Sequence, residues 1–474
     1  MGAGRPADRE RPIGVTTSQR LEDPARRAAY DTLRAVGDRD AYANLVLPGL
    51  LRERDITDRD AAFATELAYG ALRGRGTYDE IIAACSNRAL ADVDPNLLDV
   101  LRLGAHQLLK TRVPAHAAVS SSVDLVATAT GRRATGFVNA VLRKVGARDF
   151  GGWTAELAPA YATDPVGHVA FAHMHPRWIV EVFRDALGGD LEAAARACAA
   201  NNIPAPVHLI ARPGRIAPDA LLNSASPAAR PGRWSPYAVH LDAGDPGAIE
   251  AVRDGRAGVQ DEGSQLAVLA LLGIDVEGAE QWWLDVCAGP GGKAALLSAA
   301  AAERGVRLLA NDRSAHRARL VAQTIGAGSP TTVITGDGTR PAWTNESFDR
   351  VLVDAPCTGL GALRRRPEAR WRREPTDADR LHPLQVDLLS AAVGAARPGG
   401  VVAYVTCSPD RRETEAVVDA VIEQQAVETI SVPLPVVIPD LEPDVRTRSV
   451  QLWPHLHDTD AMYISLLRRI GESD

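Results

Sequence analysis

The sequence predicts an α/β domain built on a parallel sheet, preceded by a small α/β connector and an all-helical bundle. Three observations carry this. From about residue 258, short apolar runs alternate with helical stretches. Strands that are apolar along their whole length belong to a parallel sheet covered on both faces. A glycine-rich turn follows the first of these runs, as in sheets that bind ligands at their carboxyl edge. Residues from about 20 to 147 instead repeat a helical spacing with few prolines.

Taken in order, residues 1–20 are polar and contain no apolar stretch. They are expected to be a disordered tail and not a secretory signal. Residues 21–148 are expected to form a bundle of about six or seven helices. Leu97, Leu98, Leu101, Ala105 and Leu108 fall on one helical face, and so do Phe137, Val138, Val141 and Leu142. Residues 149–257 are expected to form the connector. Helices are predicted near 176–187 and 190–200, then a short apolar run at 207–211 and a Pro-, Gly- and Ser-rich stretch at 213–247. Residues 258–472 are expected to form the α/β domain, with strands near 282–288, 306–310, 332–335, 351–353 and 401–406.

Composition narrows the function classes. Of the 474 residues, 46% are hydrophobic and 24% charged, an ordinary globular balance. No run of about eighteen apolar residues exists, so no membrane contact is expected. The net charge is −7, so a nucleic-acid site must be a local basic patch. Lysine occurs only at 110, 144 and 293, which makes Lys293, inside the glycine-rich turn, stand out. The five cysteines are odd in number and contain no CxxC, as in a reduced, cytoplasmic chain. No metal is expected, since no cysteine or acid completes a ligand set around His168, His173 and His175, or around His455 and His457.

The turn after the first strand reads Cys287, Ala288, Gly289, Pro290, Gly291, Gly292, Lys293. A dinucleotide fingerprint fails on spacing. A phosphate-binding loop fails because Ala294 replaces the hydroxyl residue and position 287 is Cys. The third reading is the S-adenosylmethionine loop of methyltransferases. Asp312, ending the second strand, suits ribose hydroxyls, and Asp337, after the third, suits an adenine amino group. Each acid alone reads as a helix cap. Three successive strand ends carrying turn, acid and acid favour a cofactor site.

The fourth strand ends Asp354, Ala355, Pro356, Cys357, Thr358, and the fifth ends Thr406, Cys407, Ser408. Buried cysteines are commonly small hydrophobes, and Cys85, Cys198 and Cys287 are read that way. Cys357 and Cys407 sit instead where this class of sheet carries chemistry. Carbon 5 of cytosine is too weak a nucleophile to take a methyl group unaided. A thiolate added to C6 makes C5 enamine-like, and an acid hydrogen-bonded to N3 stabilises the charge developing on the ring. A second group then helps to undo the thiol bond. Chemistry alone does not rank the two cysteines.

Asp-Ala-Pro-Cys-Thr-Gly with a later Thr-Cys-Ser resembles the RNA cytosine-5 methyltransferases of the Sun/NOL/NOP2 type. The resemblance spans nearly the whole chain. Segments 59–63, 103–109, 113–119 and 136–143 are similar to the NusB-type domain that precedes the methyltransferase in the bacterial RsmB (Sun/Fmu) branch. Segment 259–265 and the closing Leu452-Trp453-Pro454-His455 with Asp458-Thr459-Asp460 match the family's entry into and exit from the methyltransferase domain. The resemblance implies a class I, Rossmann-like methyltransferase domain using S-adenosyl-L-methionine on 16S rRNA, in a monomer. It implies that Cys407 attacks, that Cys357 assists release, and that Asp354 contacts both the cofactor end of the site and the base. It implies that residues 287–293, Asp312 and Asp337 line the cofactor pocket. Gly289, Ala294, Thr358 and Leu360 depart from the common residues but leave the reactive groups intact. The same chemistry on tRNA or another rRNA site is an alternative. So is a non-catalytic RNA-binding factor, because NusB-like domains also serve antitermination.

After Cys357 come Arg364, Arg365, Arg366, Arg370 and Trp371. Arginines suit phosphates and tryptophan can stack on a base, so this stretch is expected to face RNA. Arg132, Arg133, Arg143 and Lys144 form lesser basic spots on the bundle.

Overall fold

The computed structural model describes residues 23–242, 244–439, 441 and 448–471; the tail expected over 1–20 lies outside them. Among the described residues, seven α-helices occupy positions 24–145: α1 (Pro24–Arg39), α2 (Ala43–Glu53), α3 (Asp58–Arg73), α4 (Arg75–Cys85), α5 (Pro95–Lys110), α6 (Ala115–Ala129) and α7 (Thr135–Val145). Local sequence starts α5: Asp94 accepts from the Asn96 amide at 2.8 Å, and Pro95 supplies a preset first turn. Leu101 and Ala105 of the predicted apolar face are buried, but so are Val100, Leu103 and Gly104. α5 is therefore the bundle's central helix and not an amphipathic surface one. Its polar side chains are satisfied inside. Arg102 reaches both carboxylate oxygens of Asp79 at 2.7 Å, and His106 meets the Tyr78 hydroxyl at 2.9 Å. The bundle's core also takes in Trp153, Phe171 and Met174, beyond the boundary expected at 148. The Trp153 indole donates to the Val145 carbonyl at 2.9 Å, which folds this stretch back onto the bundle.

The connector holds helices Arg177–Ala186 and Leu191–Ala200, then a four-stranded antiparallel sheet. Its strands are β1 (Val207–Ala211), β2 (Ala229–Pro231), β3 (Ala238–Leu241) and β4 (Ala257–Val259), in the order β2-β3-β1-β4.

The large sheet comprises β5 (Trp282–Asp285), β6 (Arg307–Asp312), β7 (Thr331–Thr335), β8 (Phe348–Asp354), β9 (Ala396–Thr406), β10 (Val427–Ile430), β11 (Val450–Gln451) and β12 (Tyr463–Arg469). The order is β10-β12-β9-β8-β5-β6-β7, with β11 beside β12. The five strands expected from the sequence are mutually parallel. β10, β11 and β12 add an antiparallel edge that the sequence reading did not anticipate. Alternate residues face opposite layers: Trp283, Leu352 and Ala403 enter one core, Leu284, Val351 and Tyr404 the other. The chain runs outward from β5 to β7 and returns as β8 on the other side of β5. That reversal opens a crevice at the carboxyl ends of β5 and β8. No helix among the described residues is long and apolar enough to cross a membrane.

Candidate active site

A cleft of about 530 Å³ lies at those strand ends. The turn after β5 forms one wall. The Gly289 amide donates to Asp312 Oδ2 at 3.1 Å, so the turn lies against the end of β6. A Cβ on Gly289 would come within 2.3 Å of that oxygen. Gly291 has φ +119°, a backbone region that side chains avoid, and a Cβ there would meet Thr324 at 2.9 Å. Asp312 is buried and also accepts from the Ser314 amide at 2.8 Å, which fixes the turn leading into the next helix, capped by Ser314, while Asp312 lines the cleft. Asp337 is exposed at the cleft. Thr339 holds its Oδ1 through two hydrogen bonds, and these lower its pKa.

Asp285, which sequence reasoning passed over, ends β5 fully buried. Burial, and after it the Asp354 carboxylate, push its carboxyl up to about 8. Its Oδ2 and the Oδ1 of neighbouring Asn311 are buried without a hydrogen-bond partner. An acid at the end of the first strand, matching Asp312 on the second, was the signal that could have found it.

Cys357 and Cys407 meet across the ends of β8 and β9, their sulfurs 3.4 Å apart. Their surroundings differ in charge. The hydrogen bond from Cys357 lowers the Cys407 thiol; Lys293 and Arg366 pull the same way, against burial and Asp354. Cys357 is raised by the same bond and by burial, and the charged groups acting on it, Glu413 and Asp354, are both acidic. The charges around the pair favour the thiolate form of Cys407 over that of Cys357. Lys293 lies 2.9 Å from both oxygens of Asp354. Burial alone would lower the lysine, but Asp354, with Cys407 and Asp285 behind it, outweighs that and raises it. Sequence reasoning had assigned Lys293 to the cofactor loop without this pairing.

Glu413 is a further residue that sequence reasoning missed. Fully buried, it accepts from the Thr358 amide at 2.8 Å and from Gln385 at 3.2 Å, which fixes the backbone just past Cys357. On the other side the Gly361 amide donates to the Cys407 carbonyl at 2.9 Å. No local pattern marks Glu413, because its partner Thr358 lies 55 positions away.

The arginine-rich stretch needs a correction. Arg370 is fully buried and donates to the carbonyls of Met174 and Asn201 and to Asn202 Oδ1. Arg364 is buried against Asp458 at 2.8 Å. Arg365 bridges Asp261 and Asp460 at 2.8 and 3.1 Å. Trp371 packs on Gly76 and donates to the Arg73 carbonyl at 3.2 Å. The apolar residues between them, Leu360, Leu363 and Ala369, are buried with the connector helices, and this draws the charged neighbours into carbonyl-lined sites. Of the five residues expected to face RNA, Arg366 alone is exposed.

Among the described residues one cluster, His208, His240 and Glu262, offers three metal-type ligand atoms within 4.8 Å. The rings stack at 4.1 Å with an interplanar angle of 13°. Nitrogen lone pairs lie in their ring planes, so two nearly parallel rings cannot aim at one ion. Glu262 is already engaged, accepting from the Trp234 and Ser235 amides and pairing with His240 at 2.6 Å. The cluster joins connector to sheet domain.

Comparison with known proteins agrees with this geometry. Residues 275–468 match the family model for 16S rRNA methyltransferase RsmB/F, and residues 23–147 match that of the NusB family. A Mycobacterium tuberculosis protein put forward as a methyltransferase is 52% identical over 94% of this chain and 97% of its own length. The ribosomal RNA small subunit methyltransferase B of Vibrio vulnificus is 31% identical over 81% of this chain and 87% of its own. Among solved structures, PH0851 superposes with a TM-score of 0.77 at 19% identity, covering 95% of this chain and 99% of that one. NSun6 from Pyrococcus horikoshii gives 0.53 at 16% identity, covering 63% and 99%.

Proposed function

This chain belongs to the RsmB/F family of rRNA methyltransferases, and from that premise we propose that it methylates C5 of a cytosine in 16S rRNA, in the cytoplasm, with S-adenosylmethionine as donor and Cys407 as nucleophile. The observation that carries the reading is the thiol pair, 3.4 Å apart in a cleft that also holds the Lys293–Asp354 pair.

The residues fit the donor, a nucleoside bearing a sulfonium cation. Asp312, Asp337 and Asp354 line the cleft and complement a positive charge, and Gly289 and Gly291 leave the turn without side chains. Residues 287–293 and Asp312 would hold its amino-acid and ribose parts, and Asp337 its adenine. Bound there, it supplies an electrophilic methyl group.

This chain's own side chains do the rest. The Cys407 thiolate adds to C6 of the unstacked cytosine. As the thiolate adds, N3 takes up a proton from solvent, and the Asp354 carboxylate, steadied by Lys293, accepts a hydrogen bond from that N3–H and stabilises the ring. Once C5 carries the methyl group, its proton passes to a water molecule, the freed electron pair restores the C5–C6 double bond and expels Cys407 as thiolate, a step Cys357 assists, and N3 returns its proton to solvent. The test uses 16S rRNA transcribed in vitro. Cys357→Ala should accumulate a covalent RNA–protein adduct on a denaturing gel. Cys407→Ala should abolish both adduct and methylation. Adduct from the Cys407 variant but not from the Cys357 variant would reverse the roles.

A further inference from the structure

Six arginines follow Cys357 between positions 364 and 373, and five are spent inside the protein. Arg364, Arg365 and Arg372 pair with Asp458, Asp261 and Asp40. Arg370 is ringed by carbonyls, and Arg373 donates to the Thr358 carbonyl at 2.9 Å. Among the described residues, Arg366 has no carboxylate or carbonyl partner for its guanidinium. It is exposed and lines the cleft, and its field reaches Cys407. Its guanidinium lies over the ring of Tyr42, 5.3 Å from the ring centre, and Arg372 lies over the same ring at 5.5 Å.

Tyr42 comes from the helical bundle, more than three hundred positions upstream, yet it lines the same cleft. It is the residue before α2, and its carbonyl accepts from the amides of Leu45 and Val46 at 3.0 and 3.1 Å. Glu368 accepts from the Ala43 amide at 3.3 Å, and Arg372 donates to the carbonyls of Val36 and Ala41 at 2.8 and 2.6 Å. The ring is thus presented from rigid backbone with 39% of the residue still exposed. Arg372 is anchored over this ring, whereas Arg366 rests on it with no carboxylate or carbonyl to hold it, so a nucleobase can take the place of Arg366 on the ring while its phosphate takes up the guanidinium.

We propose that Tyr42 and Arg366 form a station for the nucleotide next to the target cytosine, its base stacked on Tyr42 and its phosphate held by Arg366. The helical bundle then positions substrate at the site of methyl transfer itself. This rests on the RNA methylation reading above.

The test uses the full chain, tritiated S-adenosylmethionine and 16S rRNA transcribed in vitro. Tyr42→Leu keeps apolar bulk but removes the aromatic face. It should raise KM for RNA about fivefold to hundredfold, with kcat little changed. Tyr42→Phe should stay within about twofold of wild type, because the stacking face is kept. Arg366→Gln should raise KM and reduce the salt slope of RNA binding by about one. Donor affinity, read by calorimetry, should not move in the Tyr42 variants. A wild-type KM in Tyr42→Leu, or a loss in Tyr42→Phe as large as in Tyr42→Leu, overturns the proposal. If the wild-type protein transfers no methyl group to this RNA, the methylation reading fails. Filter binding of the same transcript then decides the station: equal retention by wild type and Tyr42→Leu overturns it.

Discussion

Cys357 and Cys407 look interchangeable in a line of text, each a cysteine at a strand end. What separates them is which charges surround each sulfur. Asp354 acts on both, but Lys293 and Arg366 act on Cys407 and Glu413 on Cys357. The relations that differ, those to Lys293, Arg366 and Glu413, join distant parts of the chain, which is why the residues were legible and their ranking was not. Asp285 offers a test at the same scale. With its folded-state pKa raised to about 8, against about 3.9 for a free carboxyl, the folded protein holds this proton more tightly than the unfolded chain. Its contribution to stability is full below about pH 4 and is lost as pH rises through about 8. Asp285→Asn carries no such proton. In the donor-free protein, Tm of the variant should fall less than that of wild type between those limits. Identical slopes in the two melting series would place the proton elsewhere.

The glycine-rich turn is an element whose two glycines do different work. A Cβ on Gly289 meets the side chains of Asp312 and Arg317 and no backbone, whereas Gly291 combines a positive φ with a contact 3.2 Å from the Val321 backbone. Gly291→Ala should therefore cost about 1–3 kcal/mol of stability and lose donor binding, with Gly289→Ala the milder change. Urea melts and calorimetry on both variants check the order. The turn was readable because glycines, strand and acids lie within a few dozen residues. The strands of the parallel sheet were readable for the same reason, as β-length runs of apolar residues. The edge strands β10 and β12 were not, since nothing local says that a chain-terminal run such as Tyr463–Arg469 returns antiparallel beside β9. α5 misled in another way. Its leucines mark one face, but a central helix is buried on every face, and its Arg102 and His106 are hidden by partners on α3 and α4.

At the scale of the whole molecule, the stretch from Leu360 to Arg373 binds the end of β8 to the connector and the helical bundle. Composition suggested a surface for RNA; burial makes most of it a joint. Arg370→Ala leaves the carbonyls of Met174 and Asn201 short of a donor, which should cost roughly 1–3 kcal/mol for each group left unsatisfied. Its filter-binding salt slope should match wild type, and a reduced slope would return Arg370 to the RNA surface. The same joint imposes an order in time. Arg372 donates to the carbonyl of Val36, 336 positions earlier in the chain. At typical synthesis rates of about 5–20 residues per second, roughly 15–70 seconds separate the emergence of those two residues from the ribosome. The first helices must therefore hold together, with an uncovered flank, through most of the protein's own translation.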